Sequence, residues 1–511
     1  MRSAMAMILL LAACRPRSTP PGSIDATQFR FSPRPNRAAE IHWRPWNPDV
    51  FAEARATGKP ILLSLSAIWC HWCHVLDETS LSDARAIETL NRDFLPVRVD
   101  ADQHPDLERR YLLGGWPTVA VLTADGEIVD GGTYVPPDQF VALLAGALEA
   151  VRARGPELER RLARYRNHFD PSAPGALTPM IVEGVARTVA GASDPVNGGF
   201  GGAPKFPRGE AVELLLDVGE IELARRALDA MLKLEDPVEG GFYRYATQAD
   251  WTRPHYEKML QGNAELIAAY ARGFALTHDA RYKAAAERAV EWTKRTLLDE
   301  KSGALAASQD ADERYYAAGA AARAKLTPPY IDRTLLVDRA AQMIVALVAA
   351  SKDLDDPALL ALARRAAEPL FAMRDRDGRF FHARRAGGEP EVRGQLADQA
   401  WAARALFDLA RATPADRARY TAAAREALAA AARTLQSPTG AYYDCDAGTD
   451  GLLKRRERPL AENAALARAL AASGDRAAAE RVLTAFAGSY LYEGIEAAAY
   501  ARAVREIATG R

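Results

Sequence analysis

The chain has 511 residues, a formal net charge of −1 and 49% hydrophobic residues. This length asks for more than one domain, and this composition excludes a disordered polymer. A near-neutral balance leaves no electrostatic footprint for nucleic acid, so none is expected as a partner. Four cysteines, Cys14, Cys70, Cys73 and Cys445, are too few for a disulfide-stapled scaffold.

Arg2 precedes an apolar run that ends in Leu11-Ala12-Ala13-Cys14. The run is too short to span a bilayer as a helix. Residues 1–14 read as a lipoprotein signal peptide, with cleavage before Cys14 and a lipid on its sulfur. Residues 15–38, rich in Pro, Ser and Arg, read as a tether. The expected location is the bacterial cell envelope, anchored to the membrane through Cys14 and facing the periplasm. A mis-called start codon would instead make the protein cytoplasmic.

Residues 39–165 read as one α/β unit. A helix is expected over 51–56, a strand over 61–67 and a helix over 71–91. Then come a strand over 95–100, a helix over 106–113, strands over 118–122 and 128–130, and a helix over 138–152. Asp125-Gly126 between apolar runs signals a hairpin. At the first strand-to-helix junction stands Cys70-His71-Trp72-Cys73-His74. A helix N-terminus favours thiolate over thiol, and the second sulfur follows within one turn. Such a dithiol can exchange electrons with other cysteines. His71 and His74 flank it, and a nearby cation would lower a thiolate's pKa.

The element order resembles thioredoxin. Trp116-Pro117 lies just before the third strand, where thioredoxin-like domains carry a cis proline facing the C-x-x-C. The strand position at which thioredoxins often bury a carboxylate holds Ser64. Other chemistries of the pentad stay open. C-x-x-C-H is also a haem attachment pattern. Cys70, Cys73 and His74, with His71 or His42, could hold zinc. A redox relic in an interaction domain is the plainest alternative. The adopted reading assigns no metal and no cofactor. Cys445 is expected to be a buried small residue.

Residues 170–511 are rich in alanine, with about twelve segments of helical period. Between helix pairs a Gly-aromatic element returns, at Gly198-Gly199-Phe200, Gly240-Gly241-Phe242, Gly378-Arg379-Phe380 and Gly440-Ala441-Tyr442. This repeat predicts a closed all-α (α/α)6 barrel, with an open solenoid as runner-up. Its loops hold a candidate mouth site of Arg244, Tyr245, His255, Glu257, Lys258, Asp310 and Asp312. Aromatics beside carboxylates suit a sugar. Glu257 and Asp310 could form an acid/base pair, and His255 could move a proton. The same residues could instead cap a helix and knit the mouth together.

The chain resembles the thioredoxin-domain proteins of the spermatogenesis-associated protein 20 type. The motifs run from Lys59 to His74, then Gly115-Trp116-Pro117, Gly131 to Tyr134, Gly240 to Tyr245, Pro254 to Leu260, and Gln309 to Asp312. Val337-Asp338-Arg339-Ala340 and Leu460-Ala461-Glu462-Asn463 depart from the family pattern, while Asp398 matches it. The resemblance implies a thioredoxin-like domain followed by a six-hairpin glycosidase-like barrel similar to sugar 2-epimerases. The functional expectation is a thiol–disulfide oxidoreductase. Cys70 attacks, Cys73 resolves, Pro117 shapes the groove, and Trp72 and Trp116 support the site. The barrel selects a protein thiol or disulfide client, or binds carbohydrate. The alternative is a carbohydrate-active or carbohydrate-binding barrel with a regulatory thioredoxin-like domain.

Overall fold

The structure is a computed structural model that describes residues 29–166, 172–448 and 451–509. The signal peptide, Cys14 and residues 15–28 of the expected tether lie outside the described residues. No helix among the described residues is long and apolar enough to cross a membrane.

The first domain is built on a four-stranded sheet. Its strands are β1 (Ile61–Ser66), β2 (Leu95–Asp100), β3 (Thr118–Leu122) and β4 (Ile128–Gly132), in the order β2-β1-β3-β4. β1 and β2 are parallel, and β3 runs antiparallel to both β1 and β4. β1 and β2 are buried along their whole length, which suits the largely apolar β1 and buries the charged Arg98 and Asp100 of β2 as well. Alternate side chains feed two cores. Leu62, Val119 and Val121 pack with α2 (His71–Glu78), α3 (Ala84–Asp93) and α5 (Pro137–Ala153). Ile61, Leu63, Leu65 and Val97 pack with α1 (Pro48–Thr57) and α4 (Pro105–Tyr111). A further helix, α6 (Pro156–Arg166), closes the domain.

Two expectations change here. The helix expected over 71–91 is broken between α2 and α3. Asp83 starts a new helix by accepting the backbone N–H groups of Arg85 and Ala86, and local capping prevails over the continuing apolar period. Residues 29–38, expected in the tether, are folded onto the domain instead. Phe29 and Phe31 cover the Arg98 guanidinium at 4.2 and 4.6 Å, and the Ser32 N–H donates to Asp77. Arg98 in turn forms a buried 2.6 Å ion pair with Asp77.

The second domain has twelve longer helices among the described residues. They are α7 (Met180–Gly191), α8 (Gly209–Val218), α9 (Ile221–Met231), α10 (Leu260–Thr277) and α11 (Ala280–Trp292), and, after the short α12 (Glu313–Tyr316) and α13 (Ala320–Arg323), α14 (Val337–Asp353), α15 (Pro357–Phe371), α16 (Leu396–Ala412), α17 (Arg417–Thr434), α18 (Leu460–Ala472), α19 (Arg476–Thr484) and α20 (Ala498–Thr509). Helix α8 packs on α10, α10 on α14, α14 on α16, α16 on α18, α18 on α20 and α20 back on α8. This closed inner ring is the (α/α)6 barrel and not the open solenoid. Buried alanines such as Ala264, Ala341, Ala400 and Ala464 let the inner helices approach closely.

Each Gly-aromatic element folds back on the end of the preceding outer helix. The bridges join Ser193 to Phe200, Glu235 to Phe242, Leu298 to Leu305, Arg374 to Phe380, and Gln436 to Tyr442. Gly241 shows why glycine is needed: its φ is +72°, and a Cβ there would lie 2.6 Å from the Trp292 ring. An amide in the first turn of the next inner helix reads the aromatic residue's backbone. Asn263 does this for Phe242, Gln399 for Phe380 and Asn463 for Tyr442. This device lines the helices up and gathers their loops at one mouth, on which the first domain sits.

Candidate active site at the domain interface

β1 delivers the chain into Cys70, the N-cap of α2, whose sulfur accepts the Cys73 N–H at 3.1 Å. Cys70 and Cys73 form a disulfide, and the Trp116–Pro117 peptide is cis. Trp69 meets Trp116 edge to face at 5.5 Å and donates its indole N–H to Asp102 at 2.5 Å. The barrel closes over this group. Met259 packs against the cluster of Ala67, Trp69, Cys70 and Cys73, and the Arg244 guanidinium lies 4.1 Å from the Trp69 ring and 5.0 Å from Trp116. Cys70 is accordingly only 3% exposed.

The flanking residues divide. Trp72 is 44% exposed beside Tyr134. His71 Nδ1 lies 3.3 Å from Glu313 of the barrel. His74 is not the cation that the sequence suggests. Burial, with Arg30, Arg98, His71 and Arg34 nearby, lowers it to about 3 and keeps it neutral. Ser64 Oγ is buried, without a hydrogen-bond partner. Cys445 is a buried free thiol, and burial raises its pKa.

The expected mouth residues are largely engaged. Lys258 is fully buried and donates to Asp236 at 2.6 Å and to the Gly240 carbonyl at 2.8 Å, while Arg323 binds the same aspartate at 2.7 Å. Lys258 therefore braces the loop. Asp312 caps α12 by accepting the Tyr315 N–H. Tyr245 stacks on His255 at 4.4 Å and on Phe206 at 4.5 Å. His255 Nδ1 lies 3.4 Å from Glu257 Oε1, and Glu257 Oε2 is buried without a partner. Asp310 is held by Arg30 at 2.6 Å, yet burial raises it to about 6, with Glu257 adding to the rise.

The two domains meet across charged contacts. Besides Arg30–Asp310 and His71–Glu313, Arg109 pairs with Glu462, and Arg110 pairs with Asp444 at 2.7 Å. His382 reaches the Asp102 carbonyl oxygen at 2.8 Å. Two cavities lie beneath. One of about 340 Å³ is lined by Trp69, Trp116, Arg244 and Met259 beside the disulfide. One of about 570 Å³ runs into the barrel, lined by Glu108, Glu213, Glu265, Asp338 and Trp401 among others. Burial raises Glu108, Glu213 and Glu265 each to about 7. His255, Glu257 and Asp310 are not in this lining. Sequence reasoning missed the buried group Asp338, His382 and Asp398, whose members lie far apart along the chain. The signals present were a histidine between Phe381 and Ala383 and the family match at Asp398.

Fold and site together define a thioredoxin-like domain with a C-x-x-C disulfide, seated on an (α/α)6 barrel that resembles six-hairpin glycosidase-like folds. Residues 34–164 match the family model Thioredox_DsbH, a protein of unknown function, DUF255. An uncharacterized protein of Caenorhabditis elegans is 30% identical over 305 residues, 53% of this chain and 41% of that one. Human spermatogenesis-associated protein 20 is 29% identical over 307 residues, 53% of this chain and 39% of that one. The match thus spans about two fifths of the length of these curated relatives. The crystal structure of D-mannose isomerase has a similar barrel fold, with a TM-score of 0.50 and 13% identity over 66% of this chain and 100% of that one. The resemblance to the spermatogenesis-associated protein 20 type and the two-domain architecture are borne out.

Proposed function

We propose that the protein is a thiol–disulfide oxidoreductase whose barrel controls access to Cys70. The supporting observation is the Cys70–Cys73 pair at the first turn of α2, facing the barrel across Trp116 and Met259. In the reduced state the Cys70 thiolate attacks a client disulfide. One client sulfur leaves as a thiolate, and a mixed disulfide forms. Cys73 then attacks Cys70, releasing the second client thiolate and closing the Cys70–Cys73 bond. Two electrons pass to the client, and the reverse sequence oxidises a client dithiol. A protein client must displace the Arg244–Met259 roof, whereas a small thiol can use the cavity beside Trp69.

The test is insulin disulfide reduction with dithiothreitol, comparing the wild type with Cys70→Ser. Loss of catalysis in the variant supports the reading, and equal rates in both proteins refute it. The expected envelope location goes with this proposal, because disulfides persist there.

A second reading is favoured by the 570 Å³ cavity, whose carboxylates and Trp401 offer hydrogen bonds and an apolar face to a carbohydrate. Calorimetric sugar binding that survives Cys70→Ser and is lost in Glu265→Gln would support it. Binding unchanged in Glu265→Gln would refute it.

A further inference from the structure

We propose that Asp338, His382 and Asp398 form a binding site for a divalent cation of the zinc class. The site stands apart from the redox reading, since it uses neither cysteine. His382 is 1% exposed, on the strand Phe381–Arg384. Its Nε2 lies 2.8 Å from the Asp102 carbonyl oxygen, which can only accept, so Nε2 carries a proton. The remaining nitrogen, Nδ1, points at two carboxylates, with Asp398 Oδ1 at 2.9 Å and Asp338 Oδ1 at 3.9 Å. One ligand atom from each of the three residues lies within 4.8 Å of the other two.

The carboxylates are not satisfied by the protein. Asp398 Oδ1 accepts the Asp338 N–H at 3.1 Å, and Asp338 faces Arg339 Nε at 3.4 Å through Oδ2. Asp338 Oδ1 and Asp398 Oδ2 have no hydrogen-bond partner, although the residues are only 6% and 0% exposed. Buried polar atoms are nearly always paired, so an orphaned oxygen on each of two aspartates that face one imidazole nitrogen asks for a cation. A proton on Nδ1 would supply one positive charge against two negative ones. A divalent ion supplies two.

The surroundings also suit a metal. Histidine ligands normally donate their other ring N–H to a carbonyl or carboxylate, as His382 does to Asp102. One imidazole and two carboxylates suit zinc and similar first-row ions. Calcium and magnesium prefer all-oxygen shells, and copper(I) prefers sulfur. Three protein donors leave the shell incomplete, and Asp338 lines the large cavity, so water or a cavity ligand completes it. Because Asp102 also receives the Trp69 indole, the bound ion would sit one residue away from the redox site's support.

The test uses the full-length chain with the Cys70–Cys73 disulfide intact, stripped with a chelator and titrated with Co²⁺ and then Zn²⁺. The expected result is one Co²⁺ per chain, with visible d–d bands, no near-ultraviolet thiolate band, and displacement by Zn²⁺. Asp338→Asn and Asp398→Asn should each weaken binding by at least about tenfold. X-ray absorption of the Zn²⁺-loaded wild type keeps the test open even if a variant fails to fold. One imidazole in a nitrogen and oxygen shell near about 2.0–2.1 Å is expected, and a sulfur shell near about 2.3 Å overturns the proposal. No binding by the wild type, or unchanged binding in both folded variants, also overturns it.

Discussion

The two rims of the domain interface are built differently. At one rim, α4 grips the loop after α17. Arg110 binds Asp444 and the carbonyls of Leu452 and Arg455, and the Leu452 N–H donates to the Tyr111 hydroxyl. Gly126 sits so close there that a Cβ would lie 2.2 Å from the Gly451 Cα. At the other rim, over the disulfide, the contacts are made by side chains: a guanidinium on two indoles, one methionine, and the Arg30–Asp310 and His71–Glu313 pairs, with a 340 Å³ cavity alongside. We read backbone packing at one rim and side-chain contacts alone at the other as a hinge and a flap. The domains are expected to part over Cys70 while staying joined at Arg110.

The largest effect should come from breaking the tight rim. Arg110 and Asp444 side chains are 2% and 5% exposed, so Arg110→Ala leaves a buried carboxylate with only the Glu457 N–H and the more distant Arg109, at 3.9 Å, to balance it. A loss of about 3 kcal/mol is expected in chemical denaturation. A change under about 1 kcal/mol would show that this rim is no anchor. Loosening the roof should do less to stability and more to access. Arg244→Ala removes contacts worth about 1 kcal/mol. Alkylation of reduced Cys70 by a bulky maleimide should then accelerate several-fold, with the melting temperature nearly unchanged.

Acid should weaken the back of the redox site. Folded His74 stays neutral to about pH 3, whereas the unfolded imidazole takes up a proton near its ordinary 6.5. The unfolded state therefore binds more protons in that window, and stability falls as pH drops from 6.5 towards 3. His74→Gln should flatten that slope by up to about 1.4 kcal/mol per pH unit. Parallel slopes in the two proteins would contradict the assignment. The smallest effect on the fold is expected from Cys14→Ser: if the proposed lipid anchor holds, it shifts the protein from the membrane to the soluble fraction, and an unchanged distribution would refute the anchor.

The parts of this architecture that could be read from sequence are those written locally. Apolar runs gave β1 to β3, Asp125-Gly126 gave the hairpin, and the Gly-aromatic spacing gave the barrel repeat. Charges in loops were harder to assign. Lys258 reads as a mouth residue in sequence because nothing nearby shows that Asp236 and Arg323 enclose it. Residues 29–38 look like a tether because the partner of Phe29 and Phe31 is Arg98, far along the chain. The Asp338, His382 and Asp398 group is invisible for the same reason, since it takes the packing of α14 on α16 to bring both aspartates beside the strand Phe381–Arg384.

The central claim is that Cys70 and Cys73 are a working couple beneath a movable roof. Its most direct test is equilibration of the full-length protein in glutathione buffers, with thiol trapping to count reduced Cys70 and Cys73. The account predicts a reversible two-electron transition between about −270 and −120 mV, with Cys70 trapped first. A pair that stays wholly oxidised or wholly reduced across that range would contradict it.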